Sequence, residues 1–450
     1  MSVLVAGAGI GGLAAALMLH ARGIRVRVVE QATEVREVGV GINTLPHSIA
    51  ELAELGLLER LDAVGLRTRE LRYLTRTGQE VWREPRGTYA GHDHPQFSIH
   101  RGRLQKVLLD AAIERLGSEA VLTGLRLAGF AQDEGGVSAH FTDAHDGCSS
   151  RTLGAEALVC ADGIHSVGRR RFFPNEGSPS WQGVVMWRGA VDWPVWEDGR
   201  TMAIAGGLAG KLVLYPISPV RGGRQLMNWV VNVRVANPDV SPPPPESWSR
   251  VAPLSRVLPH ARRFHVPGID LEALVRASGR IFEYPMADRD PLPRWTHGRV
   301  TLLGDAAHPM YPVGSNGSAQ AILDARCLAD HLAGAEHPRE ALYRYERERL
   351  PKTAEIVRTN RLGGPERVID EVERRAPAGF DDVDAVLGHA EREAIVRGYA
   401  GMAGFAVPGR AGSSTDAAPC AGAPGATDPA EPRRAVPSDP RTHLNQGVIQ

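Results

Sequence analysis

Apolar residues fall into short runs that end on glycine or on an acid. Residues 3–6, VLVA, predict a buried strand, and residues 10–22 carry apolar positions at helical spacing up to Gly23. Residues 24–30, IRVRVVE, alternate like a strand and end on Glu30. Together they form a β-α-β unit of about 30 residues. Residues 47–61 and 101–116 predict amphipathic helices, and EALVCADG at 156–163 predicts a strand. Residues 181–235 (GVVMWRGAV, GKLVLYPIS, LMNWVVNVRV) are strand-rich, with turn residues between the runs. SPPPPESW at 241–248 reads as a rigid loop. A late apolar run, TLLGDAAH at 301–308, stops on Gly304 and Asp305, and two helical stretches follow. This order predicts an α/β fold. A Rossmann-like dinucleotide domain would span 1–175 and 280–345, with a β-rich substrate domain at 176–279 and a helical segment at 346–406. The Ala/Gly/Pro-rich stretch 407–450 is expected to be a disordered tail.

Composition narrows the class. Hydrophobic residues make up 43% and charged residues 23%, ordinary values for a soluble enzyme. Lys+Arg and Asp+Glu both number 52, so no basic excess supports nucleic-acid binding. The four cysteines form no CxxC pair and no evident cluster with histidines, which argues against a metal site and suits a reducing cytoplasm. The apolar N-terminus could pass for a signal peptide, but it lacks a basic leading region and its glycines serve another pattern. Elsewhere no run reaches the roughly 18 apolar residues of a membrane span.

Three motifs carry candidate chemistry. Gly7-Ala8-Gly9-Ile10-Gly11-Gly12 is a GxGxxG between strand and helix. Its glycines allow a tight turn, close approach of a pyrophosphate and helix–strand packing. Glu30 stands where a carboxylate accepts from ribose hydroxyls. This unit points to a dinucleotide and leaves NAD and FAD open. The second motif, CADGIHSVGRR, contains Asp162, Gly163, Ser166 and Arg169 in a DGxxSxxR pattern. By itself it reads as a strand followed by a turn. The third, GDAAHPMYPVGSNGSAQAILDA, places Asp305 at a strand end, then Pro312, Gly314 and Gly317 in an irregular turn. A helix starts near Ser318, and its N-terminal donors suit an electron-rich ring edge or a phosphate.

In this order, the motifs resemble the signatures of the class A FAD-dependent aromatic monooxygenases over roughly residues 1–350. SIHRGRLQ, MWRGAV, LYPIS and YPMADRDPLPRW are most similar to the branch that hydroxylates phenazine carboxylates. The resemblance implies the aromatic-hydroxylase version of the fold. It implies FAD as cofactor and NADH or NADPH as transient co-substrate. O2 would supply a flavin hydroperoxide that hydroxylates an aromatic or N-heteroaromatic small molecule, possible decarboxylation included. Gly7, Gly9, Gly11, Gly12 and Glu30 would hold the ADP half. Arg36 would approach the adenosine ribose and Gly41 the flavin. Arg101 would meet the pyrophosphate or ribityl chain, and Leu127 would offer backbone groups to adenine. Asp162 and Arg169 would serve FAD and the nicotinamide coenzyme. Asp305 would accept from ribityl hydroxyls. Gly317 and Ser318 would donate backbone N–H groups to the flavin pyrimidine edge, and Pro312 would belong to the same cofactor-binding turn.

Lys211 and Tyr215 share one face of a predicted strand. Both are candidate substrate-facing residues, Lys211 for a carboxylate and Tyr215 for a ring substituent. The alternative is a solvated Lys211 and a core Tyr215. Some relatives carry a histidine at the place of Lys211, so a phenolate mechanism is in doubt. His308 and His165 read as structural, and Trp187 and Arg188 as sheet packing. A halogenase would show WxWxIP, which WPVWED at 193–198 does not match. An isoprenoid reductase or epoxidase and a flavin-binding non-enzyme remain as alternatives. No membrane segment is expected, and the protein would be a monomer or homodimer.

Overall fold

The computed structural model describes residues 1–34, 40–144, 147–236 and 250–407. Its first layer is a parallel sheet in which Ser2–Ala6 is flanked by Ala157–Cys160 and Arg25–Val29, with Val300–Leu302 and Val121–Leu122 outside them. Residues 3–6 and Ala157–Cys160 at its centre are apolar and buried throughout, as expected of parallel strands covered on both faces. The helix Ile10–Ala21 is buried at Ile10 and from Gly12 to Leu19, and it packs against the long helix Gly317–Ala333. The predicted helix over 47–61 is two helices, Pro46–Glu54 and Leu58–Val64, because Gly56 between them adopts φ +69°.

A second, seven-stranded sheet has the order 282–288, 180–194, 224–234, 210–216, 201–205, 70–74, 80–85. It therefore draws in strands from both sides of the interval 176–279. Glu70–Leu74 joins it in parallel with Thr201–Ala205, a pairing that no local pattern announces. Side chains alternate between its faces. Trp187, Leu212, Leu214, Trp229 and Val231 meet the helices Leu254–Ala261 and Leu271–Ala277. Tyr215 and Ile204 face the other way, where Val368, Val372 and Val396 of the C-terminal helices complete a core. The predicted loop over 241–248 and the tail beyond 407 lie outside the described residues. Among described residues, no helix is long and apolar enough to cross a membrane.

Candidate active site

The glycine loop leaves the C-terminal end of the central strand Ser2–Ala6. Gly7 has φ +111°, and a Cβ there would lie 2.3 Å from the Ala161 carbonyl oxygen. A Cβ on Gly12 would stand 2.0 Å from the Gly7 oxygen, so only glycine lets the helix approach. A Cβ on Gly9 would meet nothing within 4 Å, which leaves that side of the loop open to a ligand. Gly11 has a different reason: its missing Cβ would lie 2.8 Å from the Leu303 side chain and 3.1 Å from Ala321. It joins the first motif to the third and is not turned to the open side. The Glu30 carboxylate accepts from the Ala8 N–H (2.7 Å) and the Ala32 N–H (2.9 Å). Four lone-pair sites leave it room for a sugar hydroxyl. Gln105, which sequence reasoning missed, donates to the Ala8 carbonyl at 2.7 Å.

Asp162 sits across the loop from Gly7. One carboxylate oxygen accepts from the Val167 N–H at 2.7 Å, and the other is buried without a partner. Burial raises its pKa, only partly offset by hydrogen bonds from Ser166 and Val167. An orphaned acceptor here fits a hydroxyl-bearing ligand. Arg169 requires a correction. Its guanidinium is buried, pairs with Glu176 (Nε–Oε2 2.8 Å), and donates to the carbonyls of Ala306, Ala307 and Asp290. It braces the turn that carries Asp305 and has no donor group free for a coenzyme.

Asp305 follows Gly304, whose φ is +62°. Its side chain is exposed and has no partner among the described residues, while Ala306, Ala307 and His308 around it are buried. A buried polar chain supports this turn. His308 Nε2 lies 2.5 Å from Asp324 Oδ2, and Asp324 Oδ1 accepts from Arg349 Nε at 2.7 Å. Arg349 donates to Gln320 (2.6 Å), Gln320 to Asn316 (3.2 Å), Asn316 to Tyr399 (2.8 Å), and Tyr399 to Asn360 (2.7 Å). Burial alone would raise Asp324, but the charges and hydrogen bonds of His308 and Arg349 outweigh it and its pKa is lowered. At the far end, Gly314 packs on Tyr399, where a Cβ would lie 2.4 Å from the ring. Pro312 is exposed, Gly317 opens the helix Gly317–Ala333 with free space at its Cα, and Ser318 follows it.

The seven-stranded sheet touches this site through Gly41. The Gly41 N–H donates to Asn228 Oδ1 at 2.7 Å, and its carbonyl accepts from the Tyr215 hydroxyl at 2.8 Å and from Arg188. A Cβ on Gly41 would collide with Asn228, Ile217 and Tyr215. Tyr215 is thus a clamp on the strand Gly41–Thr44, and its hydroxyl is already engaged. Burial raises its pKa against the opposing charge of Arg188. The expectation for Lys211 also changes, since its ammonium is buried against Glu366 and is neither solvated nor open to a ligand. Arg188, read from sequence as packing, lies on the Tyr215 side of the sheet with its Nε buried and unpartnered. Arg101 is exposed at the start of its helix, with its N–H on the Val40 carbonyl (2.9 Å). Leu127 is buried on an edge strand whose Leu125 N–H donates to the Glu30 carbonyl at 3.0 Å, so it stands on the Glu30 side. Arg36 lies outside the described residues.

These residues fit FAD: an open glycine loop, a carboxylate beside it, an orphaned acceptor at Asp162 and an unpaired carboxylate at Asp305. If Asp305 holds a cofactor hydroxyl, Asp305→Ala should weaken FAD affinity by about tenfold while leaving the fold intact. Flavin fluorescence titration of the apoprotein reads the change, and an unaltered affinity refutes the role.

Comparison with known proteins agrees. The FAD binding domain family profile matches residues 1–360. The chain is 47% identical over 363 residues to phenazine 1,6-dicarboxylic acid hydroxylase PhzS of Lysobacter antibioticus, covering 80% of this chain and 89% of that protein. It is 34% identical to 3-hydroxybenzoate 6-hydroxylase of Polaromonas naphthalenivorans, covering 81% and 87%. The fold matches Klebsiella pneumoniae HpxO complexed with FAD and uric acid with a TM-score of 0.68 at 24% identity, over 90% of this chain and 96% of that one. The aromatic hydroxylases among these relatives favour aromatic hydroxylation over isoprenoid reduction. The chain belongs to the FAD-dependent aromatic monooxygenases, enzymes that hydroxylate a small aromatic molecule with O2 and typically draw electrons from NAD(P)H.

Proposed function

We propose that the substrate is a planar, carboxylated nitrogen heteroaromatic of more than one ring, hydroxylated beside the Gly41 strand. The observation that carries this reading is the sheet face around Gly41. It presents Met186, Val213 and Val230 as apolar surface together with Arg188, whose Nε has no partner. A flat ring packs on the aliphatic side chains, and a carboxylate pairs with a guanidinium more specifically than with an ammonium. The relative named for phenazine 1,6-dicarboxylic acid supports the same class.

In this reading Glu30, Asp162 and Asp305 hold FAD along its length, and the bound flavin supplies the redox and oxygen chemistry. The protein's own part is placement. Asn228, Tyr215 and Arg188 fix the Gly41 backbone, Arg169 and the Asp324 network fix the opposite turn, and the sheet excludes water from the space between. Residues 1–175 with 280–345 remain the proposed FAD-binding part. The buried thiols Cys160 and Cys327, neither of them in a disulfide, support a reducing cytoplasm. A monomer or homodimer is proposed for the assembly.

The test is NADH and NADPH oxidation with oxygen uptake, measured with phenazine 1,6-dicarboxylic acid, uncarboxylated phenazine and 3-hydroxybenzoate. The dicarboxylate should stimulate oxidation most, and product mass tells whether a carboxylate is lost. Equal stimulation by uncarboxylated phenazine would overturn the proposed acid recognition.

A further inference from the structure

The helix Gly317–Ala333 carries Cys327 and His331 four residues apart, so both point from one face. Glu348 of the helix Pro338–Arg361 lies opposite them. One ligand atom from each falls within 4.8 Å of the others, and His331 Nε2 is 3.3 Å from Glu348 Oε2. This corrects the sequence-based view that no cysteine clusters with histidine. The spacing CLADH was present in the chain, but its third member is supplied only by the packing of two helices.

We propose that Cys327, His331 and Glu348 form a binding site for one thiophilic divalent cation, zinc by its chemistry, with a fourth position open to water. Thiolate, imidazole and carboxylate are the donor types zinc takes in tetrahedral sites. Bonds of ordinary length hold such ligands roughly 3.5 Å apart, so the present spacing needs to shorten by about 1 Å on binding. Hard cations such as Mg2+ are disfavoured, because a thiol and an imidazole replace the oxygens they require. The thiol is protonated in the metal-free site, since burial and the neighbouring Glu348 both raise its pKa. Binding forms a metal–thiolate bond and releases that proton to solvent.

The site adjoins the flavin-side network. Asp324 precedes Cys327 by one helical turn, and Arg349 follows Glu348 directly. A bound cation therefore ties together the two helices whose Asp324–Arg349 pair holds the Asp305 turn. None of the three ligands belongs to the catalytic or cofactor-binding set, so steady-state turnover in the absence of metal should survive their replacement.

The experiment is calorimetric titration of chelator-treated, FAD-loaded enzyme with Zn2+, repeated in buffers of different ionisation enthalpy. We expect one site with Kd of about 1 μM or tighter, close to one proton released, and a zinc-dependent rise in Tm. His331→Ala, a partly exposed position, should weaken binding by about 100-fold, and Cys327→Ala should also abolish the proton release. Mg2+ should give no saturable heat. Zinc binding that is as tight in both variants as in wild type, or absent from wild type at about 100 μM, overturns the proposal.

Discussion

Replacing Asp324 with alanine should destabilise the folded protein by about 3–5 kcal/mol, because it strands a buried guanidinium without its counterion. Arg349 is 5% exposed and Asp324 is fully buried, so neither charge has water to fall back on. The same substitution removes the acceptor of the Gly304 N–H (3.2 Å) and the partner of His308. For a chain of this size, a Tm lower by about 5 °C is expected. The turn bearing Asp305 loses its support as well, so FAD should dissociate more readily at temperatures well below the new Tm. The pH dependence follows from the lowered pKa of Asp324. A carboxylate with a depressed folded-state pKa contributes its full stability above its unfolded value, near 3.8, and loses it as the pH falls through the folded one. The gap between wild type and variant should thus be constant across neutral pH and narrow only below about pH 4. Calorimetric Tm and bound flavin, measured together across pH, check this. A variant with wild-type Tm and flavin content would remove the network from the account of the site.

The glycine loop was legible because its demands are local. Gly7 needs a left-handed turn, and Gly12 needs room against a residue five positions earlier. Asp305 was legible for a similar reason, being an acid at the mouth of a buried strand. Gly11 belongs to the same motif, yet its neighbours are Leu303 and Ala321, nearly the whole fold away in sequence. Pattern alone could not separate its packing role from a cofactor role. Arg169 shows the same limit. A cation beside an acid suggests a ligand contact, but its partners Ala306, Ala307 and Asp290 come from a different motif. The polar chain from His308 to Asn360 was invisible for a further reason. Each member occupies an ordinary-looking helix or loop position, and only three-dimensional packing shows that all of them avoid water. The recruitment of Glu70–Leu74 into the seven-stranded sheet is of this kind too, since parallel pairing leaves no turn signal between the partners.

Lys211→Met provides the sharpest test of how the proposed substrate face works. Lys211 and Glu366 have side chains 7% and 6% exposed, and the carboxylate comes from the short helix Gly364–Glu366 that follows Gly363. Methionine keeps the length of the side chain but leaves Glu366 charged, buried and unpaired, which should cost about 3–5 kcal/mol. Replacing both residues, as Lys211→Met with Glu366→Leu, removes the unpaired charge. Its stability should then return to within about 1 kcal/mol of wild type, because a buried pair seldom outperforms well-packed apolar groups. That pattern, with the KM for a carboxylated substrate unchanged in the double variant, makes Lys211 a structural link between the sheet and the C-terminal helices. It leaves Arg188 as the cation for the substrate. The opposite pattern is equally readable. If Lys211→Met leaves unfolding unchanged but raises KM for carboxylated substrates and not for an uncarboxylated ring, the ammonium must leave Glu366 when substrate binds. Glu366 would then be a stand-in carboxylate that keeps Lys211 charged and positioned until the substrate displaces it.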